Sequence, residues 1–133
     1  MRYLALVILI FIAFSTCVSA SPCDGIDRSL PDSRKEDLAP EIAKQLHIQN
    51  ANILQSFKLG KWNIIYVETY MSDEVFLFYA HNPLTSHYVA EWSGAAMSNE
   101  EKIIRAWVLK NVPGIPKKLA ACFARHVTKG RDM

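Results

Sequence analysis

The chain has 133 residues, with 15 basic and 13 acidic side chains, three cysteines and 50% hydrophobic residues. This composition excludes disordered and collagen-like proteins, and the length leaves no room for two full-sized domains. With only five glycines and six prolines, the chain is also not a low-complexity sequence.

Residues 1–20 have the pattern of a secretory signal peptide. A basic residue precedes an apolar stretch, 3–14, and small residues occupy the usual places before a cleavage site, Val18 and Ala20. A membrane anchor is the alternative, but the apolar stretch is shorter than the roughly 20 residues that span a bilayer. We therefore expect cleavage after Ala20, export to the periplasm or the medium, and a single mature domain, 21–133, without a membrane span.

Charge is distributed unevenly along the mature chain. Residues 21–101 carry six basic and twelve acidic side chains, a net of −6, whereas residues 102–133 carry eight basic and one acidic, a net of +7. The two parts can attract each other within one fold, or the basic tail can bind an acidic partner. No nucleic-acid-binding motif accompanies the lysines, so we expect no nucleic acid among the partners.

Two cysteines remain in the mature chain, one near each end. Because exported chains enter an oxidising compartment, they predict an intramolecular disulfide between Cys23 and Cys122. Two buried or intermolecular thiols are the alternative. The cysteines lack the spacing of a zinc site, and we expect neither a metal nor another cofactor.

The hydrophobic pattern of the first two thirds predicts one helix followed by four strands. After an extended lead-in, 24–37, a short helix is expected to begin at Pro40. Alternating apolar residues then predict four strands, whose short loops require an antiparallel meander. These strands are 53–58, 62–70, 75–81 and 87–92, with a tight turn at Gly60-Lys61 in the first hairpin.

Two helices are expected after the strands. Ser98 and Glu101 have the spacing of a capping box at the start of the first one. Its buried face would consist of Ile103, Ile104, Trp107, Val108 and Val112. After a proline-containing hinge, 113–116, the second helix has a longer apolar stripe: Leu119, Cys122, Phe123, His126 and Val127. The expected class is α+β, a four-stranded antiparallel meander with one N-terminal helix and two C-terminal helices packed on one face.

Strand pairing predicts which side chains share a face of the sheet. If the five-residue loop 82–86 closes the last hairpin, Leu77 lies opposite Glu91, and if 71–74 closes the preceding hairpin, Tyr66 lies opposite Tyr79. One face is then apolar enough for helices to cover, while the other mixes aromatic, acidic and imidazole groups. A shift of one residue in either hairpin would exchange the faces of the following strand.

The mixed face has the composition of a protein-binding surface, because rings provide rigid contact area and polar tips provide orientation. Its predicted contact residues are Trp62, Tyr66, Glu68, Tyr70, Tyr79, His81, His87 and Glu91. The alternative is a partly buried face, covered by the first helix and the 24–37 segment.

Three further groups of residues have the composition of a chemical site. Glu68 and Glu91 would lie about 9–10 Å apart across one intervening strand, a spacing that suits a glycoside hydrolase. His81 and His87 would pair across a hairpin, but no third metal ligand is placed beside them. His126 on the helical stripe is expected to be a hydrogen-bonded core histidine.

No motif for a catalytic nucleophile, a metalloprotease or a phosphate-binding loop is present, and no catalytic residue is assigned. We therefore expect a small exported binding protein that is not an enzyme. Its most concrete form is an inhibitor or immunity-type protein that blocks an envelope-acting enzyme by direct contact. The alternatives are a small carbohydrate-active hydrolase using Glu68 and Glu91, and a carrier of a small apolar ligand between sheet and helices.

Overall fold

The computed structural model describes residues 15–17 and 20–131. In chain order its elements are α1 Asp32–Leu46, β1 Asn52–Leu59, β2 Trp62–Glu68, β3 Val75–Tyr79, β4 Ala90–Ser93, a 3₁₀ turn Ser98–Glu100, α2 Glu101–Asn111 and α3 Lys117–Lys129. The strands form one antiparallel sheet in the order β1-β2-β3-β4. The α+β class, the meander and the order of helices and strands are confirmed.

The first hairpin is a tight turn. Leu59 pairs with Trp62, so that only Gly60 and Lys61 connect β1 to β2. Gly60 has a φ of +59°, in the left-handed region where a side chain costs roughly 1–2 kcal/mol. The predicted turn is therefore confirmed, and its glycine is the residue type that this backbone requires.

Both faces of the sheet are covered, each by different helices. On one face, α1 contributes Leu38 and Ile42 to the core. On the other, α2 contributes Ile104 and α3 contributes Leu119 and Phe123. The three helices therefore divide between the two faces, whereas we expected them all on one. The reason lies in the central strands: β3 is buried at every position and β2 at every position except its last, so neither face can be left in water.

The second hairpin has a different register from the predicted one. Tyr66 pairs with Phe76 and Val67 with Val75, whereas the prediction placed Tyr66 opposite Tyr79. The offset is 79 − 76 = 3 residues, an odd number, so the side chains of β3 exchange faces relative to the prediction. The cause is an early end to β2 at Glu68, which lengthens the connection.

The third hairpin has the predicted register. Leu77 pairs with Glu91 and Phe76 with Trp92. The error in strand pairing is therefore confined to the β2–β3 hairpin. Since β4 follows β3, its side chains exchange faces together with those of β3.

The apolar stripe predicted for α3 is buried throughout: Leu119, Cys122, Phe123, His126 and Val127. The ring of Phe123 packs edge-on at 5.0 Å from the rings of Phe76 and Phe78. Nε2 of His126 lies 2.7 Å from Oε1 of Gln55. The expectation of a hydrogen-bonded core histidine is thus confirmed, and α3 is the main support of its sheet face.

The start of α1 differs from the prediction. The helix begins at Asp32 and encloses Pro40, so part of the expected extended lead-in, 24–37, is helical. Proline cannot donate the hydrogen bond that a helix interior normally contains. Leu38 and Ile42 are fully buried against the sheet on either side of Pro40, and this burial offsets the missing bond.

The start of α2 also differs. The backbone N–H of Met97 donates to the carboxylate of Glu100 at 2.7 Å, one residue before the predicted capping box of Ser98 and Glu101. Glu101 instead forms an ion pair with Lys129 of α3. The predicted box is therefore wrong by one position, because Glu101 serves to join the two C-terminal helices.

The buried stripe of α2 is narrower than predicted. Ile104, Val108 and Val112 are buried and Trp107 is half-buried, but Ile103 is 71% exposed. Ile103 therefore lies on the outer side of the helix, where it makes no contribution to the core.

A disulfide joins Cys23 to Cys122, as predicted. It attaches the segment before α1 to the buried centre of α3. The predicted signal peptide, 1–20, and its cleavage site lie for the most part outside the described residues. Among the described helices, none combines the length and the apolar character that a membrane crossing requires.

The disulfide closes a loop with a sequence separation of 99 residues, so it should restrict the unfolded chain strongly. Replacing both cysteines, Cys23→Ser with Cys122→Ser, is expected to lower the free energy of unfolding by about 2–5 kcal/mol in urea denaturation. Reductant should destabilise the wild type and leave the double variant unchanged. A loss below about 1 kcal/mol would contradict this role.

Candidate functional site

The predicted contact residues do not form one surface. Trp62 and Tyr66 are buried in the core shared with α2 and α3, and Tyr79 is wholly buried in the core shared with α1. Glu68 is half-buried, and four residues are exposed: Tyr70, His81, His87 and Glu91. The odd shift in the β2–β3 register explains why Tyr79 lies on the opposite face of the sheet from Trp62 and Tyr66. For Tyr79, the alternative expectation holds: its side chain lies on a sheet face that α1 covers.

The buried tyrosines contact other core residues and an arginine. The ring of Tyr66 stacks on that of Phe76, with 4.0 Å between ring centroids, and the guanidinium of Arg131 lies 5.7 Å from the Tyr66 ring centroid. The hydroxyl of Tyr79 donates to Oε1 of Gln45 at 2.8 Å, which links β3 to α1. Burial raises the pKa of Tyr79, with a smaller contribution from the nearby Tyr88.

The two glutamates lie on opposite faces of the sheet. Glu91 pairs with Leu77 on the face covered by α1. Glu68 lies two residues after Tyr66 in β2, so it lies on the same face as Tyr66, which is the other one. Oε2 of Glu68 accepts a hydrogen bond from Nδ2 of Asn52 at 3.2 Å. Since carboxylates on opposite faces cannot flank one glycosidic bond, the geometry of a hydrolase pair is not formed.

His81 and His87 are both exposed on the connection between β3 and β4. Nδ1 of His87 lies 2.8 Å from the carbonyl oxygen of Tyr88, and the two rings pack with their centroids 4.1 Å apart. Across residues 15–17 and 20–131, no three His, Cys, Asp or Glu side chains are grouped as a metal ion would need. The contacts of the His87 ring are thus with Tyr88, the next residue in the chain.

The loop between β2 and β3, residues 69–74, projects two adjacent apolar side chains into solvent. Tyr70 is 65% exposed and Met71 is 79% exposed. Single exposed apolar residues are ordinary on protein surfaces, but a neighbouring ring and thioether at one tip form a compact apolar projection. Asp73 and Glu74 follow in the same loop and give it negative charge.

The backbone holds Tyr70 in an unfavourable conformation. Its φ is +61°, in the left-handed region that costs a non-glycine residue roughly 1–2 kcal/mol. Such strain persists only where the surroundings enforce it, and it concentrates at functional sites. The buried Thr69 enforces it here, since its Oγ1 accepts hydrogen bonds from the backbone N–H of Ser72 at 3.3 Å and of Met71 at 3.5 Å.

A cavity of about 620 Å³ lies beside Tyr70 and Met71. Its other wall is the segment that leads into β1, residues 49–52, which presents the amide side chains of Gln49, Asn50 and Asn52. An aromatic ring and a thioether beside polar amides resemble the core and rim of a protein interface. We call the 69–74 loop and this cavity the loop site.

The sequence pattern named only one residue of the loop site, Tyr70, and placed it in a strand. Met71 and the 49–52 wall were not predicted. The available signal was the pair of hydroxyl residues Thr69 and Ser72, because such side chains bond to nearby backbone groups and favour turns over strands.

Tyr79 should make the free energy of unfolding depend on pH in the alkaline range, above about pH 10. Because burial raises its pKa in the folded protein, the unfolded chain loses the tyrosine proton first, at about pH 10. The free energy of unfolding should therefore fall as pH rises above 10, by up to about 1.4 kcal/mol per pH unit for this group. Urea denaturation at increasing pH should show a smaller fall for Tyr79→Phe. Equal slopes in the two proteins would contradict the assignment.

Tyr70 is expected to lower the free energy of unfolding, because a tyrosine adopts the left-handed backbone conformation unfavourably. Tyr70→Asn places a residue that tolerates the left-handed region at this position, and the exposed ring contributes little packing. We expect the free energy of unfolding to rise by about 0.5–1 kcal/mol in urea denaturation. Met71→Asn, at the adjacent exposed position, should give no such gain. A loss of stability in Tyr70→Asn would show that the ring packs within the fold.

No family model matches the chain, and no curated protein or solved structure matches it significantly.

Proposed function

We propose that the protein is a small exported binding protein that blocks an envelope-acting enzyme by direct contact, with the loop site as its contact surface. The single observation that carries the proposal is Tyr70, whose ring is held in solvent by a strained backbone conformation. A strained and exposed aromatic residue is unfavourable for the folded chain alone, so a partner is the simplest reason to keep it.

Export is supported by two features. Residues 1–20 have the pattern of a secretory signal peptide. The disulfide between Cys23 and Cys122 is the kind of bond that persists in an oxidising compartment. Both features fit a protein that acts in the periplasm or outside the cell.

The shape of the loop site favours an inhibitor among binding proteins. Enzyme active sites are concave, and a projecting loop complements a cleft better than it complements a flat surface. The hydrogen bonds of Thr69 fix the loop before binding, which reduces the entropy that binding would otherwise cost. Asp73 and Glu74 would meet a basic rim on the partner.

The other functions lack comparable support. The hydrolase would need Glu68 and Glu91 on one face, and they lie on opposite faces. The carrier would need space between sheet and helices, where Phe57, Phe76 and Phe123 are fully buried and fill the layer.

The proposal can be tested by photo-crosslinking in envelope extract. Met71 is replaced by a photo-crosslinking amino acid, and Ile103 on α2 provides a matched control because it is an apolar side chain of similar exposure. We expect a discrete product from position 71 that excess wild-type protein prevents. The captured enzyme should lose activity when wild-type protein is added. Tyr70→Asn should bind at least roughly 30-fold more weakly, the effect of losing about 2 kcal/mol at an interface hot spot.

The controls separate this contact from general adhesion. Excess Tyr70→Asn should compete poorly for the product formed at position 71. Identical products from positions 71 and 103, or inhibition that Tyr70→Asn retains in full, would refute the proposal.

A further inference from the structure

A second site lies at the end of the sheet opposite the loop site. Three cationic side chains and one imidazole converge there on a cleft of about 220 Å³. Arg34 comes from α1, Lys58 and Lys61 come from the β1–β2 hairpin, and His81 follows β3. The remaining lining residues are Gly60, Asn63, Asn82 and Pro83, and the described residues that line the cleft include no carboxylate.

A buried amide holds the cationic segments together. Asn63 is only 2% exposed, although it lies in the central strand β2. Its Oδ1 accepts a hydrogen bond from the guanidinium of Arg34 at 3.2 Å. Its Nδ2 donates to the carbonyl oxygens of Lys61 at 3.1 Å and of His81 at 3.4 Å. One buried side chain therefore fixes all three segments that supply the positive groups, so that the cleft is a defined arrangement.

The positive charge of the cleft is poorly balanced. Arg34, Lys58 and Lys61 form no ion pair within 4.0 Å with any residue in the described part of the chain. Asp27 lies close enough to Lys58 and Arg34 to offset part of their charge, and its carboxylate accepts hydrogen bonds from the N–H and the hydroxyl of Ser29, at 2.9 and 2.6 Å. These bonds, more than the two cations, lower the pKa of Asp27. Three cations thus face a single carboxylate, which leaves the surroundings of the cleft with a net positive charge.

We propose that this cleft binds the phosphate group of an anionic ligand. A phosphate presents several acceptor oxygens in a tetrahedral arrangement, which suits a guanidinium and two ammonium groups approaching from separate segments. Lys58 and Lys61 are exposed, so a phosphate can reach them from solvent. The cleft is separate from the loop site, because the seven residues of β2 place the two sites about 20 Å apart.

The test is a titration with inorganic phosphate, monitored by the backbone amide resonances, with sodium chloride at matched ionic strength as the reference. In the wild type we expect saturable shifts confined to the turn of α1 that holds Arg34 and to residues 58–63, 81 and 82, all of which lie at the cleft. Lys61→Gln should weaken binding about five- to tenfold, since one charge-assisted hydrogen bond is lost. Because the side chain of Lys61 is exposed, we expect Lys61→Gln to fold as the wild type does. Lys110→Gln, which removes an exposed lysine on α2, should leave binding unchanged.

Vesicles distinguish the two sources of phosphate. Cosedimentation with phosphatidylcholine vesicles that contain phosphatidic acid, reversed by inorganic phosphate, would support a lipid-borne phosphate. Binding of inorganic phosphate without cosedimentation would support a soluble phosphate ester. Absence of saturable shifts, equal shifts with chloride, or equal weakening by Lys61→Gln and Lys110→Gln would overturn the proposal. None of these results depends on the loop site.

Discussion

The pairing between β2 and β3 determines which side chains meet which helix. Since β3 is buried at every position, its five side chains must divide between the two cores, and the register decides the division. With Tyr66 opposite Phe76, the phenylalanines of β3 meet α3, while Leu77 and Tyr79 meet α1. This register in turn depends on β2 ending at Glu68, where the loop site begins. The projecting loop and the division of the β3 side chains between the two cores are thus consequences of one strand end.

Features that depend on local sequence could be predicted, and those that depend on contacts between distant segments could not. Strand alternation, the turn at Gly60 and the stripe of α3 follow from residue type and spacing. The disulfide could be predicted because the expected mature chain has only two cysteines and its expected compartment is oxidising. Glu101 could not be assigned correctly, because its partner Lys129 lies on another helix. The loop site and the cationic cleft were likewise hidden, since each combines residues from segments far apart in the chain.

Two buried polar side chains shape the ends of the central strand. Asn63 near the start of β2 and Thr69 just after its end are both removed from water. Burying a polar group is unfavourable unless it is hydrogen-bonded, and both satisfy this need with backbone groups of adjoining loops. The sheet therefore provides more than a hydrophobic layer. Its polar residues determine the conformation of the loops on which both proposed sites are built.

The disulfide has a topological consequence for the intact molecule. Cys23 precedes α1 and Cys122 lies within α3, so the entire sheet is enclosed in one covalent ring. A single proteolytic cut anywhere inside this ring, even at the solvent-facing tip beside Tyr70, leaves both fragments attached to each other. Under oxidising conditions, a nicked copy therefore keeps its two pieces together as one particle.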